Sequence, residues 1–336
     1  MVNIFINGVG RIGKSIFRLS LLDKDINIVA INDINKNKKN IAYGINYDST
    51  YGQIENKFST NGNLLQNNTN SIQIFNEKNI FDIDFQSLNI DIIIDASGIN
   101  VDTKKLKTLP VKKVILTHAN KEVQNIVLGV NEELLKENLK VIAASSCNAT
   151  ALLPVLQNLD EVYKIEFGDV TTVHPLLNHQ KTLDNGCIGS DDRGVECNFE
   201  FGRSATQNII PSKTTTIDAC ALINPKFNSE FISSHSFRTD MPTVGAINLC
   251  VSVKNKVTKV ELINFFEELE KTQKHKIFLN NSCPLVSSDF TASKYTSILD
   301  HRFTQVIQNK MVKLVLWYDN EYGYASKVVD MVSLIE

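Results

Sequence analysis

The chain opens on Val2-Asn3-Ile4-Phe5-Ile6, a β-branched and aromatic run that predicts a buried strand. Helical spacing follows from Lys14 to about Leu22, with Ile16, Phe17, Leu19, Leu21 and Leu22 as its apolar positions. Ile26 to Ile31, Ile72 to Phe75, Asp91 to Asp95, Lys112 to Thr117 and Val141 to Ala144 predict further strands. Asn131 to about Asn138 predicts a short helix capped by Asn131. Such alternation of strands and helices argues for a doubly wound, mainly parallel sheet, with ligands at the carboxyl ends of its strands. After Pro154 the pattern changes. Ile165 to Val173 and Ala246 to Val253 alternate over long stretches, as in an antiparallel sheet with one face buried. Glu261 to about Lys274 is an amphipathic helix, Val312 to Tyr318 a strand, and Ser326 to Leu334 a last helix.

Length adds that 336 residues suit two domains. A net charge of -2 gives no electrostatic reason for a nucleic-acid or anionic-membrane partner. No apolar run is long enough to span a bilayer, and the first residues lack a signal-peptide layout, so a cytoplasmic location is expected. The six cysteines form no C-x-x-C pair or zinc spacing, which predicts free thiols and no metal.

Between the first strand and helix lies Asn7-Gly8-Val9-Gly10-Arg11-Ile12-Gly13, a G-x-G-x-x-G in its confirming context. Gly8 allows the tight turn, Gly10 lets backbone approach a pyrophosphate, and Gly13 lets the helix pack on the strand. The helix N-terminus then faces the phosphates. Asp33, about twenty residues past Gly13, is placed to hold ribose hydroxyls and to repel a 2′-phosphate, which favours NAD over NADP. Small residues at Ala96-Ser97-Gly98 suit close approach to a ligand. Tyr47-Asp48-Ser49-Thr50-Tyr51-Gly52 is a polar turn with no chemistry derivable from it.

Cys147 sits between the strand at Val141 and a helix that begins with Ala151-Leu152-Leu153. A helix N-terminus favours thiolate over thiol, so a lowered pKa and a nucleophilic role are expected, against the plain alternative of a small core residue. His174 ends a Thr-rich strand and, paired with that thiol, could act as its base. Residues 179 to 207 hold His179, Lys181, Asp184, Cys187, Asp191, Asp192, Arg193, Glu196, Cys197 and Arg203, which reads as a long polar loop near the cofactor. Ser212-Lys213-Thr214-Thr215-Thr216 suits either an anion or an ordinary helix cap, and Arg238 in a neutral strand calls for a phosphate or an acid. Asn320 could bond a carboxamide and Tyr324 could lean on a flat ring; taken alone, both are cap residues.

Together these stretches resemble the phosphorylating glyceraldehyde-3-phosphate dehydrogenase family over nearly the whole chain. The likeness is carried by Ile6 to Gly13, Ala30 to Asp33, Tyr47 to Gly52, Ser146-Cys147, Thr171 to His174 and Gln180 to Asp184. It continues in Gln207 to Pro211, Val286 to Phe290 and Trp317 to Tyr324. The resemblance implies a Rossmann-type doubly wound sheet plus an α+β catalytic domain with a mainly antiparallel sheet. The NAD domain would take residues 1–147, completed by the C-terminal helix at 320–336, and the catalytic domain 148–319. It implies a homotetramer, Cys147 as nucleophile and His174 as base, with a phosphorylated aldehyde and inorganic phosphate as substrates. The NAD site would comprise Asn7, Gly8, Gly10, Arg11, Ile12, Asp33, Ser97, Gly98, Thr117, Asn320 and Tyr324. The substrate anions would fall to Ser146, Asn148, His179, Thr214, Thr215 and Arg238.

The anion-binding half departs from the family pattern. Cys-Thr-Thr-Asn is Cys147-Asn148-Ala149-Thr150 here, and the two phosphate-binding threonines after the histidine are Leu177 and His179. The usual Thr-Gly is Thr214-Thr215, the usual Arg-Val-Pro-Thr is Arg238-Thr239-Asp240-Met241, and the loop after Asp184 is longer. Each lost charge-assisted hydrogen bond removes about 1.5–3 kcal/mol, so roughly ten-fold weaker binding of the usual substrate is expected unless His179 or Lys213 substitutes. Three functions stay open at this point. They are a divergent glyceraldehyde-3-phosphate dehydrogenase, a paralogue for another aldehyde such as erythrose 4-phosphate, and an NAD-binding regulatory protein without turnover.

Overall fold

The computed structural model describes residues 1–186 and 199–335, which divide into two compact units. The first takes Met1–Ile126, Asn131–Ser146 and the residues from Tyr324 onward; the second takes Val127–Val130 and Cys147–Gly323.

In the first unit β1 (Val2–Asn7) leads into α1 (Arg11–Ser20), β2 (Ile26–Asn32) and α2 (Lys38–Asn46). A small ribbon, β3 (Tyr47–Asp48) with β4 (Gly52–Gln53), precedes β5 (Ser59–Asn61), β6 (Leu64–Gln66) and β7 (Ser71–Phe75). Then come β8 (Ile92–Asp95), α3 (Thr103–Leu106), β9 (Lys113–Leu116), β10 (Gln124–Asn125) and β11 (Val141–Ala143). Nine strands form one sheet in the order β10-β11-β9-β8-β1-β2-β7-β6-β5. All pairings from β10 to β7 are parallel, and only the β5-β6-β7 edge is antiparallel. Burial follows: β8 and β9 are buried at every position, because helices cover both faces of a parallel sheet. α1 buries Ile16, Phe17 and Leu19, but it ends at Ser20, so Leu22 leaves the apolar stripe and is 71% exposed.

The stretch after Asn131 is a 3₁₀ turn, Glu132–Lys136, and not the capped α-helix that its spacing predicts. The Asn131 side chain makes no cap bond; its amide donates instead to the Asn125 carbonyl at 3.0 Å.

The second unit starts with α4 (Cys147–Tyr163), whose first residue is the cysteine itself. β12 (Ile165–His174), β13 (Ile210–Ser212), α5 (Thr216–Ala221), β14 (Ile232–Arg238) and β15 (Gly245–Val253) follow. α6 (Lys259–Thr272), β16 (Phe278–Asn281), β17 (Ser297–Asp300), β18 (Gln305–Ile307) and β19 (Met311–Tyr318) complete the sheet, and α7 (Tyr322–Leu334) leads back into the first unit. The strand order is β13-β14-β12-β15-β19-β17-β16, with β18 also on β19. Five pairings are antiparallel, and two, β12 with β14 and β16 with β17, are parallel. β15 alternates buried and half-buried along its whole length, as one covered face requires. α6 starts earlier than the apolar spacing alone suggests, because Thr258 and Glu261 close a capping box there. Among the described residues, no helix is long and apolar enough to cross a membrane.

Two glycines in the first turn are steric requirements. Gly8 has φ +89, and a Cβ there would lie 2.6 Å from the Ser97 backbone. A Cβ on Gly13 would lie 1.9 Å from the Gly8 carbonyl oxygen. The loops after β1 and β8 therefore touch, backbone to backbone, where the sheet order reverses. Gly13→Ala is expected to lower the unfolding free energy, measured by urea denaturation, by about 1–3 kcal/mol. Gly10→Ala, whose new methyl meets nothing within 4 Å, should change it much less.

Candidate active site

In the first unit the sheet order reverses between β1 and β8, the place where open α/β sheets take ligands. α1 enters from Gly10 with no side-chain cap and no acidic residue in its first turn, so its leading N–H groups suit a phosphate. Open space lies over both Gly10 and Gly98. Asp33 borders the same turn: one carboxylate oxygen accepts from Val9 N at 2.9 Å and the other from Asn35 N at 2.9 Å. Its half-buried carboxylate is held by backbone donors on both oxygens.

Behind the turn, Asn7 donates to Asp95 at 3.0 Å and accepts from Asn32 at 2.8 Å. Asn7 is thus a buried brace between β1, β2 and β8. Ser97 N donates to the Asp95 carboxylate, and Thr117 Oγ1 donates to the Asp95 carbonyl. Arg11 turns away from the turn: its guanidinium meets the Asp48 carboxylate at 2.6 Å, with Lys14 3.7 Å from the same oxygen. Asp48 also accepts from Thr50 N and Tyr51 N. The polar turn at 47–52 is therefore a strap tied to α1. Tyr324 is buried and donates to the Ser145 carbonyl at 3.3 Å.

In the second unit Cys147 Sγ lies 3.9 Å from His174 Nε2. His174 Nδ1 is 2.9 Å from the Pro175 carbonyl, which can only accept. The proton is therefore on Nδ1, and Nε2 is bare toward the sulfur. Burial, then the charge of Arg238, pushes the imidazole down to about 3, so it is neutral at working pH. The thiol does not follow the expectation of a lowered pKa. Burial pushes it up to about 11, against the downward pull of Arg238 and of the Asn148 and Cys147 backbone N–H groups. α4 does start at Cys147, as the helix-terminus argument needs, but desolvation of the anion exceeds that field. Cys147 as a residue is half-buried, so a reagent can still reach it. At rest the pair is a thiol beside a neutral imidazole whose free nitrogen can take the proton as the sulfur attacks.

Arg238 ends β14 and is the direct register partner of His174 on β12. Its Nε and Nη1 are buried and lack a hydrogen-bond partner among the described residues, as is Ser212 Oγ. A guanidinium with unspent N–H groups is an anion receptor. Thr214 pairs with Thr216 at 2.6 Å, while Thr215 is exposed and makes no side-chain cap for α5. Asn148 is buried and spent internally: Tyr318 Oη donates to its oxygen at 2.7 Å and its Nδ2 donates to Thr216 at 2.9 Å. The expectation that Asn148 meets a substrate anion therefore does not hold in this arrangement. His179 is exposed, its ring edge-on to Phe201 at 5.3 Å. Ser146 is half-buried. Asn320 accepts from Val244 N and Thr243 Oγ1, each at 3.2 Å, which leaves its NH₂ end to meet a ligand carbonyl.

Two residues went unrecognised in the sequence. Tyr318 looked like the end of a strand, and Thr216 like a helix cap; only the fold brings both to Asn148. Cys187, Asp191, Asp192, Arg193, Glu196 and Cys197 of the long loop lie outside the described residues.

Comparison with known proteins agrees with this geometry. Residues 2–103 match the glyceraldehyde 3-phosphate dehydrogenase NAD binding domain, and residues 146–320 match the C-terminal domain of the same family. Glyceraldehyde-3-phosphate dehydrogenase 2 of Saccharomyces cerevisiae is 34% identical over 99% of this chain and 98% of its own. Glyceraldehyde-3-phosphate dehydrogenase 2 of Bacillus subtilis is 32% identical over 98% and 96%, and the enzyme of Borreliella burgdorferi 33% over 98% of each. The chain is a member of the glyceraldehyde-3-phosphate dehydrogenase family, an oxidoreductase of that type with NAD as its cofactor.

Proposed function

We propose that this protein oxidises glyceraldehyde 3-phosphate to 1,3-bisphosphoglycerate through a thioester on Cys147. The observation that carries the reading is the trio of Cys147, a neutral His174 with its bare nitrogen 3.9 Å from the sulfur, and Arg238 with two buried nitrogens, Nε and Nη1, that lack a partner among the described residues. Cys147 adds to the aldehyde carbon while His174 relays the thiol proton to the carbonyl oxygen, giving a hemithioacetal, and takes that proton back as the carbon is oxidised to the thioester. NAD, when bound, supplies the oxidation by accepting hydride. Gly8, Gly10 and the N-terminus of α1 would cradle its phosphates and Asp33 would hold the ribose hydroxyls, and the family resemblance gives Asn320 the carboxamide. His174 then moves protons as inorganic phosphate cleaves the thioester, with Arg238 and Thr214 holding the anions. Ser146, Thr215 and His179 are proposed as further contacts to those anions. We also infer a homotetramer, supported by the exposed apolar residues Phe167 and Val173 on the open face of β12.

A second reading is favoured by one observation. Asn148 is turned inward, and Leu177 and His179 stand where the family has threonines, so the substrate-phosphate cradle is thin. An aldehyde such as erythrose 4-phosphate, or a non-phosphorylated one, then becomes the competitor.

Purified protein with NAD and glyceraldehyde 3-phosphate should produce NADH continuously only when inorganic phosphate is present, and a single burst without it. Continuous turnover independent of phosphate would sink the thioester-phosphorolysis reading. Cys147→Ser should lose at least about 10³-fold in turnover while binding NAD as before. Asp33→Ser should narrow the NAD over NADP preference by about ten-fold or more, measured as the ratio of kcat/KM values.

A further inference from the structure

The side chain beside the nucleophile is an amide where the family resemblance leads one to expect a threonine. Asn148 is 8% exposed and makes three contacts. Its oxygen accepts from Tyr318 Oη at 2.7 Å and from Cys147 Sγ at 3.5 Å, and its nitrogen donates to Thr216 Oγ1 at 2.9 Å. Thr216 passes the chain on to Thr214 at 2.6 Å. Tyr318 and Thr216 are each 1% exposed, so the amide is held at both ends by groups that water does not displace.

We propose that Asn148 is a positioning residue that sets the protonation state of the nucleophile: its carbonyl, clamped by Tyr318 and Thr216, holds Cys147 as a thiol at rest. A thiol has one proton to give. The amide oxygen is the nearer acceptor, at 3.5 Å against 3.9 Å for His174 Nε2. A carbonyl oxygen stabilises S–H and opposes S⁻, whereas a threonine hydroxyl can donate to the thiolate. The hydroxyl of Tyr318 could also have stabilised that anion, but its hydrogen bond goes to Asn148.

The other groups facing the sulfur come from four elements. Arg238 of β14 favours the thiolate, and Glu321, just before α7, opposes it. His174 of β12 is neutral, and Tyr318 of β19 keeps its proton, since burial and then the Cys147 charge raise it well above its ordinary value. Burial already disfavours the thiolate, and with one cation set against one carboxylate the clamped amide adds to that preference.

The inference rests on Cys147 as the nucleophile proposed above. It is tested on the thiol itself, so a wrong aldehyde and a wrong role for Asn148 fail separately. The intact protein is treated with iodoacetamide from about pH 6 to 12, a range that spans the raised thiol, and alkylation of the Cys147 peptide is followed by mass spectrometry. Asn148→Thr should alkylate roughly 3–10-fold faster at neutral pH, with its inflection moved down. Asn148→Asp, which puts a second oxygen and a charge at the same place, should alkylate slower, with its inflection moved up. General loosening of the site would hydrate the sulfur and move both variants the same way. Opposite displacements therefore support the proposal, and displacements in one direction, or none, overturn it. Thr216→Val removes the amide's anchor without touching a neighbour of the sulfur. It should move the profile in the direction of Asn148→Thr, and an unmoved profile there counts against the clamp.

Discussion

A buried guanidinium with unspent N–H groups governs the electrostatics of the second unit. Arg238 pulls the Cys147 thiol down, pushes the His174 imidazole further down, and is itself disfavoured by burial. A cation in that place favours thiolate beside neutral imidazole and disfavours the thiolate–imidazolium ion pair. Desolvation then keeps even the thiolate from forming at rest. An anion reaching Arg238 changes this balance: it spends the N–H groups and weakens the field at both residues. Substrate binding and nucleophile activation are therefore one electrostatic problem here.

The first unit solves a different problem, close backbone approach. The glycines at 8 and 13 are there because two loops and a helix meet with no room for a Cβ. Asn7, Asn32 and Asp95 brace the strands beneath them. Arg11 and Lys14, which could have been spent on phosphate, instead hold Asp48 and the strap at 47–52. What remains for an anion is backbone N–H and a helix terminus, a geometry that reads phosphate by shape as well as by charge.

This division explains what could be read from the sequence. A glycine motif between a strand and a helix, and an acid at the end of β2, are local in sequence and therefore legible. So was the alternation that separates a parallel sheet from a one-faced antiparallel one, because period and burial are tied by backbone geometry. The Cys147 junction was legible as a helix start, but the thiol's acidity was not. The helix field acts from the adjacent backbone, whereas desolvation and Arg238 arrive from strands far along the chain. The turn at 47–52 was opaque for the same reason, since its partner Arg11 lies in another element. Asn131 misled because a cap residue in sequence is a cap only if the following turn is α-helical.

The departures from the family pattern gain a common sense from the structure. Read singly, Asn148 and Thr215 are departures from the family's anion site, while Thr214 keeps its threonine. In space, Asn148, Thr216 and Thr214 form one hydrogen-bonded chain from the sulfur to the loop before α5. The amide donates to Thr216, and either hydroxyl can donate in the bond between Thr216 and Thr214. A ligand oxygen that accepts from Thr214 would select the direction in which Thr216 donates to it and strengthen the bonds behind it. The residues that depart from the family pattern beside Cys147 are thus joined to one another, so a change at Thr216 reaches the sulfur through Asn148.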